Sequence, residues 1–202
     1  ELLKGLVTIW LPDLKTLSSP LSEKLFAAPD YPEVAKKTIK WMIKNNPLQI
    51  QSIPEPENAK PVEWAESGQN RDKMTSGVII RHLFLPGKFE ETADVLSWLK
   101  DNADGKACIS LMNQYTPVPF AEEGKSLEKR KKALSVIEDR LVNEQEFEDI
   151  QDLLEAFVLD YLSYQELTDD TSWLPDFNRP QPFSNKLACP VWHFKDLKNL
   201  AF

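Results

Sequence analysis

Four times along this chain a short, strongly apolar run is followed by polar or helix-patterned sequence. This alternation constrains the fold more than any other feature. The runs are GLVTIWLPD (residues 5–13), GVIIRHLFL (77–85), KACISLMNQY (106–115) and VLDYLSYQEL (158–167). In the first, Leu6, Val7, Ile9, Trp10 and Leu11 are nearly continuous, as in a strand covered on both faces. Strands that alternate with helices pair in parallel, because a parallel neighbour is reached only by a crossover.

The intervening segments carry helical spacing. In APDYPEVAKKTIKWMIKNN, Asp30 and Glu33 have capping-box spacing and Pro32 suits the first turn. Val34, Ala35, Thr38, Ile39, Trp41 and Met42 fall on one face. KFEETADVLSWLKDN places Phe89, Ala93, Leu96 and Leu99 on one side. Residues 125–141 read as a charged helix with a thin stripe of Leu127, Leu134, Ile137 and Leu141, the run EKRKK forming its solvated face. EQEFEDIQDLLEAF, residues 144–157, reads as a helix burying Phe147, Ile150, Leu154 and Phe157. Pro86-Gly87 and Asp104-Gly105 end elements.

Two segments break the alternation. Residues 47–76 form an irregular insertion rich in Pro, Glu, Asn and Lys, with a short hairpin near Leu48 to Ile53. Residues 168–202 hold Trp173, Phe177, Phe183, Trp192 and Phe194 among prolines without a period, which reads as an extended C-terminal arm beside a 1–167 body. The expected fold class is α/β, an open parallel sheet or half of a barrel, since a full eight-unit barrel needs roughly 250 residues and this chain has 202.

Composition narrows the function. The net charge of −8 argues against a nucleic-acid backbone as partner. The longest apolar runs are strand-length, too short to span a membrane, and no secretory signal opens the sequence. Cys108 and Cys189 are the only cysteines, too few for a disulfide framework, which suits a reduced, cytoplasmic setting. The opening residue is Glu1 rather than methionine, which suggests a truncated or processed chain. There is no Gly-x-Gly-x-x-Gly or Walker loop, no cysteine pair to begin a zinc or iron–sulfur site, and no nucleophile elbow.

Ligands of parallel α/β folds sit at the carboxyl ends of strands. The polar residues there are Asp13 and Lys15, then Arg81 and His82, then Asn113, Gln114 and Tyr115, then Tyr164 and Gln165. Strand alternation puts Arg81 with Ile79, Leu83 and Leu85, and His82 with Ile80 and Phe84. Each has a purely structural reading beside the functional one. Asp13 can cap its turn, Arg81 can pair with a carboxylate within the sheet, and His82 can pack under a helix. Gln114 and Gln165 can satisfy strand-end backbone, and His193 can pack within the tail.

Taken in order, LPDLK, APDYPEVA, GVIIRHLFLPG, SLMNQYTP, and SYQE followed by SWLPDF resemble the C-terminal half of a radical S-adenosylmethionine protein of the pyruvate formate-lyase activating enzyme-like branch. The resemblance runs from about Gly5 to Phe177 apart from the insertion, and IIRHLFLPG and LMNQYTP are its most specific pieces. It implies a TIM-type barrel of parallel βα units of which this chain is strands five to eight, with the N-terminal half-barrel as a missing partner. In the full-length parent a 4Fe–4S cluster on a Cys-x-x-x-Cys-x-x-Cys loop would bind S-adenosylmethionine and cleave it reductively to a 5′-deoxyadenosyl radical. That radical abstracts hydrogen from a substrate, which in activating enzymes is a glycine of a glycyl-radical enzyme. This chain has no such loop, so by itself it is expected to bind neither cluster nor S-adenosylmethionine and to be inactive. The resemblance assigns Asp13, Lys15 and Arg81 to the S-adenosylmethionine side and Gln114, Tyr115 and Gln165 to the substrate side. The rival expectation is a stand-alone, non-catalytic α/β module that binds a protein partner. A severed barrel would expose two strand edges and self-associate.

Overall fold

The computed structural model describes residues 2–53, 71–118, 125–169, 171 and 174. The chain divides into two compact units, Glu1–Leu167 and Thr168–Phe202. Of the second, Leu174 N–H donates to the Thr171 carbonyl at 3.0 Å. Most of the expected extended arm, with Cys189 and His193, lies outside the described residues, as does the middle of the insertion.

The first unit is α/β. Its elements run β1 (Ile9–Trp10), α1 (Ser19–Phe26), α2 (Tyr31–Asn45), β2 (Gln49–Ile53), β3 (Arg71–Leu83), α3 (Phe89–Asn102), β4 (Cys108–Met112), α4 (Lys125–Leu134), α5 (Glu144–Phe157) and β5 (Leu162–Tyr164). Strands β1, β3, β4 and β5 lie side by side in chain order, each pair parallel. The four apolar runs supply these four strands. The hairpin anticipated near Leu48 forms with a remote partner: β2 pairs antiparallel with the first half of β3, Gln49 opposite Ser76 and Ile53 opposite Arg71.

One face of the sheet is sealed by helices. Val78, Ile80, His82 and Phe84 of the second run and Ile109 and Leu111 of β4 are buried against Ala35 and Ile39 of α2, Val95, Leu96 and Leu99 of α3, and Ile150 of α5. The opposite face, with Ile79, Arg81, Leu83, Cys108, Ser110 and Met112, is only half-buried. Strand alternation thus puts Val78, Ile80, Phe84 and His82 toward the helices and the set containing Arg81 and Ser110 on the other side.

Several expected boundaries move for identifiable reasons. The first strand shrinks to Ile9–Trp10 plus a bridge at Asp13. Leu6 and Val7 N–H groups turn back to the Leu3 carbonyl, and Pro12 has no N–H to give. Asp30 and Glu33 do not form a capping box, because Asp30 is in helical backbone conformation and its side chain makes no cap bond. The true box is Asn143–Glu146 at the start of α5. Val34, assigned to the buried face of α2, is 54% exposed. The charged helix stops at Leu134 instead of running to 141. The fourth strand keeps only Leu162–Tyr164, because Val158 caps α5 in the left-handed conformation and Asp104 Oδ1 takes the Asp160 N–H at 2.8 Å.

Candidate functional site

The loop after β1 carries Asp13 to the carboxyl end of the sheet. Its backbone is held from both sides: Arg81 N–H donates to the Pro12 carbonyl at 2.9 Å and Leu14 N–H to the Arg81 carbonyl at 2.8 Å. Tyr31, at the start of α2, fixes the same loop. Its hydroxyl donates to the Asp13 carbonyl at 2.8 Å and accepts the Lys15 N–H at 2.9 Å. Burial pushes the Tyr31 hydroxyl pKa up, so it stays a donor.

Asp13, bridged from the loop after β1, stands in one row with Arg81, Ser110 and Ser163 of β3, β4 and β5. Arg81 Nη2 lies 2.8 Å from Asp13 Oδ1, and Lys15 Nζ lies 2.9 Å from Asp13 Oδ2. The structure therefore brings the three residues assigned to the S-adenosylmethionine side into one cluster. It also realises the structural reading of Arg81, since its partner is a carboxylate bridged to it from the loop after β1. Two cations share one carboxylate, and Arg81 Nε is buried with no hydrogen-bond partner. Asp13 Oδ1 is likewise buried without a hydrogen-bond partner. The group carries one positive charge beyond what Asp13 neutralises, on side chains that are both half-exposed, an arrangement suited to a ligand carboxylate.

His82 does the opposite job on the sealed face. It is 2% exposed, with Nδ1 at 2.7 Å from the Leu14 carbonyl and Nε2 at 2.9 Å from Thr92 Oγ1. A carbonyl can only accept, so Nδ1 carries the proton and Nε2 accepts from the threonine hydroxyl. Burial, opposed by the Leu14 bond and aided by Lys15, lowers its pKa to about 4. His82 is thus a neutral packed histidine, and it ties down the same Asp13–Lys15 loop from behind.

The substrate-side candidates do not converge. Tyr115 donates its hydroxyl to Asp139 Oδ1 at 2.6 Å, and burial first, then that carboxylate, raises its pKa. The carbonyl of Gln114 accepts from Thr116 Oγ1 at 3.4 Å. Gln165 contributes backbone, its N–H to the Leu111 carbonyl at 3.3 Å and its carbonyl to Asn113 Nδ2 at 2.7 Å. Asn113 and Gln165 therefore stitch β4 to β5 at their carboxyl ends.

Two features escaped the sequence reading. Helix α1 is signalled by Ser18, whose hydroxyl accepts the Leu21 N–H at 3.2 Å, with Pro20 in the first turn. Glu146 is a hub that accepts from Arg140 at 2.7 and 2.9 Å, from Gly87 N–H at 2.8 Å and from Asn143 N–H at 3.2 Å. Burial pushes its carboxyl up, but these donors outweigh it and hold the pKa below the usual range. Only its spacing from Asn143 signals it in the sequence.

Cys108, the cysteine among the described residues, supplies no cluster site. Cys108 lies within β4, its Sγ 3.9 Å from Met74 Sδ, and burial raises its pKa away from the thiolate a metal needs. Among the described residues no three His, Cys, Asp or Glu side chains are grouped to hold a metal ion. A 4Fe–4S cluster does not fit the donors these residues offer, whereas a ligand carboxylate fits the Asp13–Lys15–Arg81 group.

Comparison with protein-family models, with curated proteins and with solved structures finds no match for this chain. No helix among the described residues is long and apolar enough to cross a membrane.

Proposed function

We propose that this chain is the C-terminal half of a radical S-adenosylmethionine barrel of the activating-enzyme-like branch, with Asp13, Lys15 and Arg81 on its S-adenosylmethionine side. The observation that carries the reading is the row Asp13–Arg81–Ser110–Ser163 on the open face of four parallel strands in chain order. In a closed barrel that face is the lumen, and the carboxyl ends of the strands are the ligand side. The half-exposed side chains of Arg81 and Lys15 would receive the S-adenosylmethionine carboxylate, with Asp13 holding both in place. The cluster, which supplies the reducing chemistry when bound, would be held by the other half-barrel, and cytoplasmic location and a glycyl-radical partner follow from the same reading.

The test is to express this chain joined to the half-barrel encoded upstream, reconstitute it anaerobically with iron and sulfide, and assay 5′-deoxyadenosine from S-adenosylmethionine under reduction. Formation of 5′-deoxyadenosine is expected, with Asp13→Asn and Arg81→Ala each lowering it about tenfold or more, the loss of one charge-assisted contact. Iron-free protein that yields no 5′-deoxyadenosine overturns the reading and leaves the non-catalytic module in its place.

A further inference from the structure

Beside the charged row, the open face continues into a cavity of about 250 Å³ between the carboxyl end of the second run and the paired helices α1 and α4. Its walls are Leu25 and Phe26 from the last turn of α1, Leu83 and Leu85 from the sheet, and Leu134 and Ile137 from the end of α4 and beyond. Ala133 lines it at the α4 side. Polar groups enter at two places only. Lys15 stands at the rim toward Asp13, and Tyr115 presents its ring, with its hydroxyl already given to Asp139. An apolar cavity of about 150 Å³ accommodates a benzene ring, so this one has room for a ring with a short substituent.

The electrostatics fix which end of such a molecule faces where. Lys15 and Arg81 divide a single carboxylate, so the rim holds one positive charge beyond what Asp13 neutralises, in a chain of net charge −8. Lys15 is half-exposed and keeps ammonium donors for a further acceptor. Asp139, the carboxylate on the far side, is occupied by the Tyr115 hydroxyl. A few convergent polar groups at the mouth of an apolar cavity are the usual make-up of a small-molecule site.

We propose that this cavity binds a small aromatic carboxylate, with its ring among Leu25, Phe26, Leu83, Leu134 and Ile137 and its carboxylate on Lys15. The site goes beyond the S-adenosylmethionine reading and needs neither cluster nor radical. The experiment is a titration of the chain with phenylacetate and with the neutral analogue 2-phenylethanol, followed on ¹³C-labelled leucine and isoleucine methyls. Saturable shifts of the Leu83, Leu134 and Ile137 methyls are expected, with the acid binding about fivefold tighter than the alcohol, as a half-exposed ion pair permits. Lys15→Gln should erase that preference while the alcohol still binds, and Ala133→Trp should fill the cavity and abolish both. If Ala133→Trp loses the dispersion of its methyl spectrum, Ile137→Trp takes its place. The proposal is overturned by non-saturable shifts, by equal binding of acid and alcohol to the unmodified chain, or by undiminished binding to the filled variant. The titration contains no S-adenosylmethionine, iron or reductant, so its failure and that of the radical reading are distinguishable.

Discussion

Arg81 and His82 are adjacent in sequence and face opposite sides of the sheet, and together they hold one loop. Arg81 holds Asp13 on the open face, while His82 holds the Leu14 carbonyl on the sealed one. The apolar run tolerates both because neither is left without a partner: one charge is paired at the margin, and the other residue stays neutral. Neutrality has a consequence for stability. The His82 pKa of about 4 lies below the unfolded value of 6.5. Between these values the unfolded chain binds the proton and the folded chain does not, so stability rises with pH across that window and is lost as pH falls through it. The full contribution is about 3 kcal/mol. Urea denaturation at pH 7 and at pH 4 should show a drop of this order that is largely absent in His82→Gln. An equal drop in the variant would assign the loss to other groups.

At the scale of elements, apolar period and tertiary context divided the work. The long helices α2, α3 and α5 were legible because each repeats buried residues at helical spacing, such as Ala35 and Ile39 or Val95 and Leu99. Helix α1 was not, because it has only eight residues and buries only Leu21 and Ser22. Strand β3 shows the same division. Its 13 residues serve two neighbourhoods, antiparallel to β2 before Gly77 and parallel to β1 and β4 after it. Gly77 makes the change of direction at φ 136°, and a Cβ there would lie 2.7 Å from Met74 Cε and 3.0 Å from the Leu48 backbone. Gly77→Ala should therefore cost about 2 kcal/mol or more, by strain and overpacking together. Thermal denaturation of the variant checks this, and an unchanged midpoint would show that the junction relaxes.

At the scale of the whole molecule, the first unit leaves apolar surface without cover among the described residues. Leu2 is 94% and Leu6 76% exposed, next to β1, which among the described residues pairs with β3 alone. At the other margin Val158 and Tyr161 are exposed beside β5, which among the described residues pairs with β4 alone. Strand edges and apolar patches of this kind drive association. Sedimentation velocity of the isolated chain should show mass rising with concentration, and Leu6→Lys should shift the distribution toward monomer. A single monomeric species at all concentrations would show that these margins are covered in solution.

The sequence by itself determined the α/β class, the four parallel strands and which residues of the second run share a face. Strand alternation and helical period are local properties, readable from neighbouring residues alone. It also placed Asp13, Lys15 and Arg81 at the same end of the sheet. Only the tertiary structure decided that Arg81 takes Asp13 as its partner, that His82 is neutral and bound to Leu14 and Thr92, and that α1 and α4 close a cavity over Leu83 and Leu85. Those outcomes join residues tens of positions apart, and no local pattern encodes which of several competing partners lies nearest once the chain has packed.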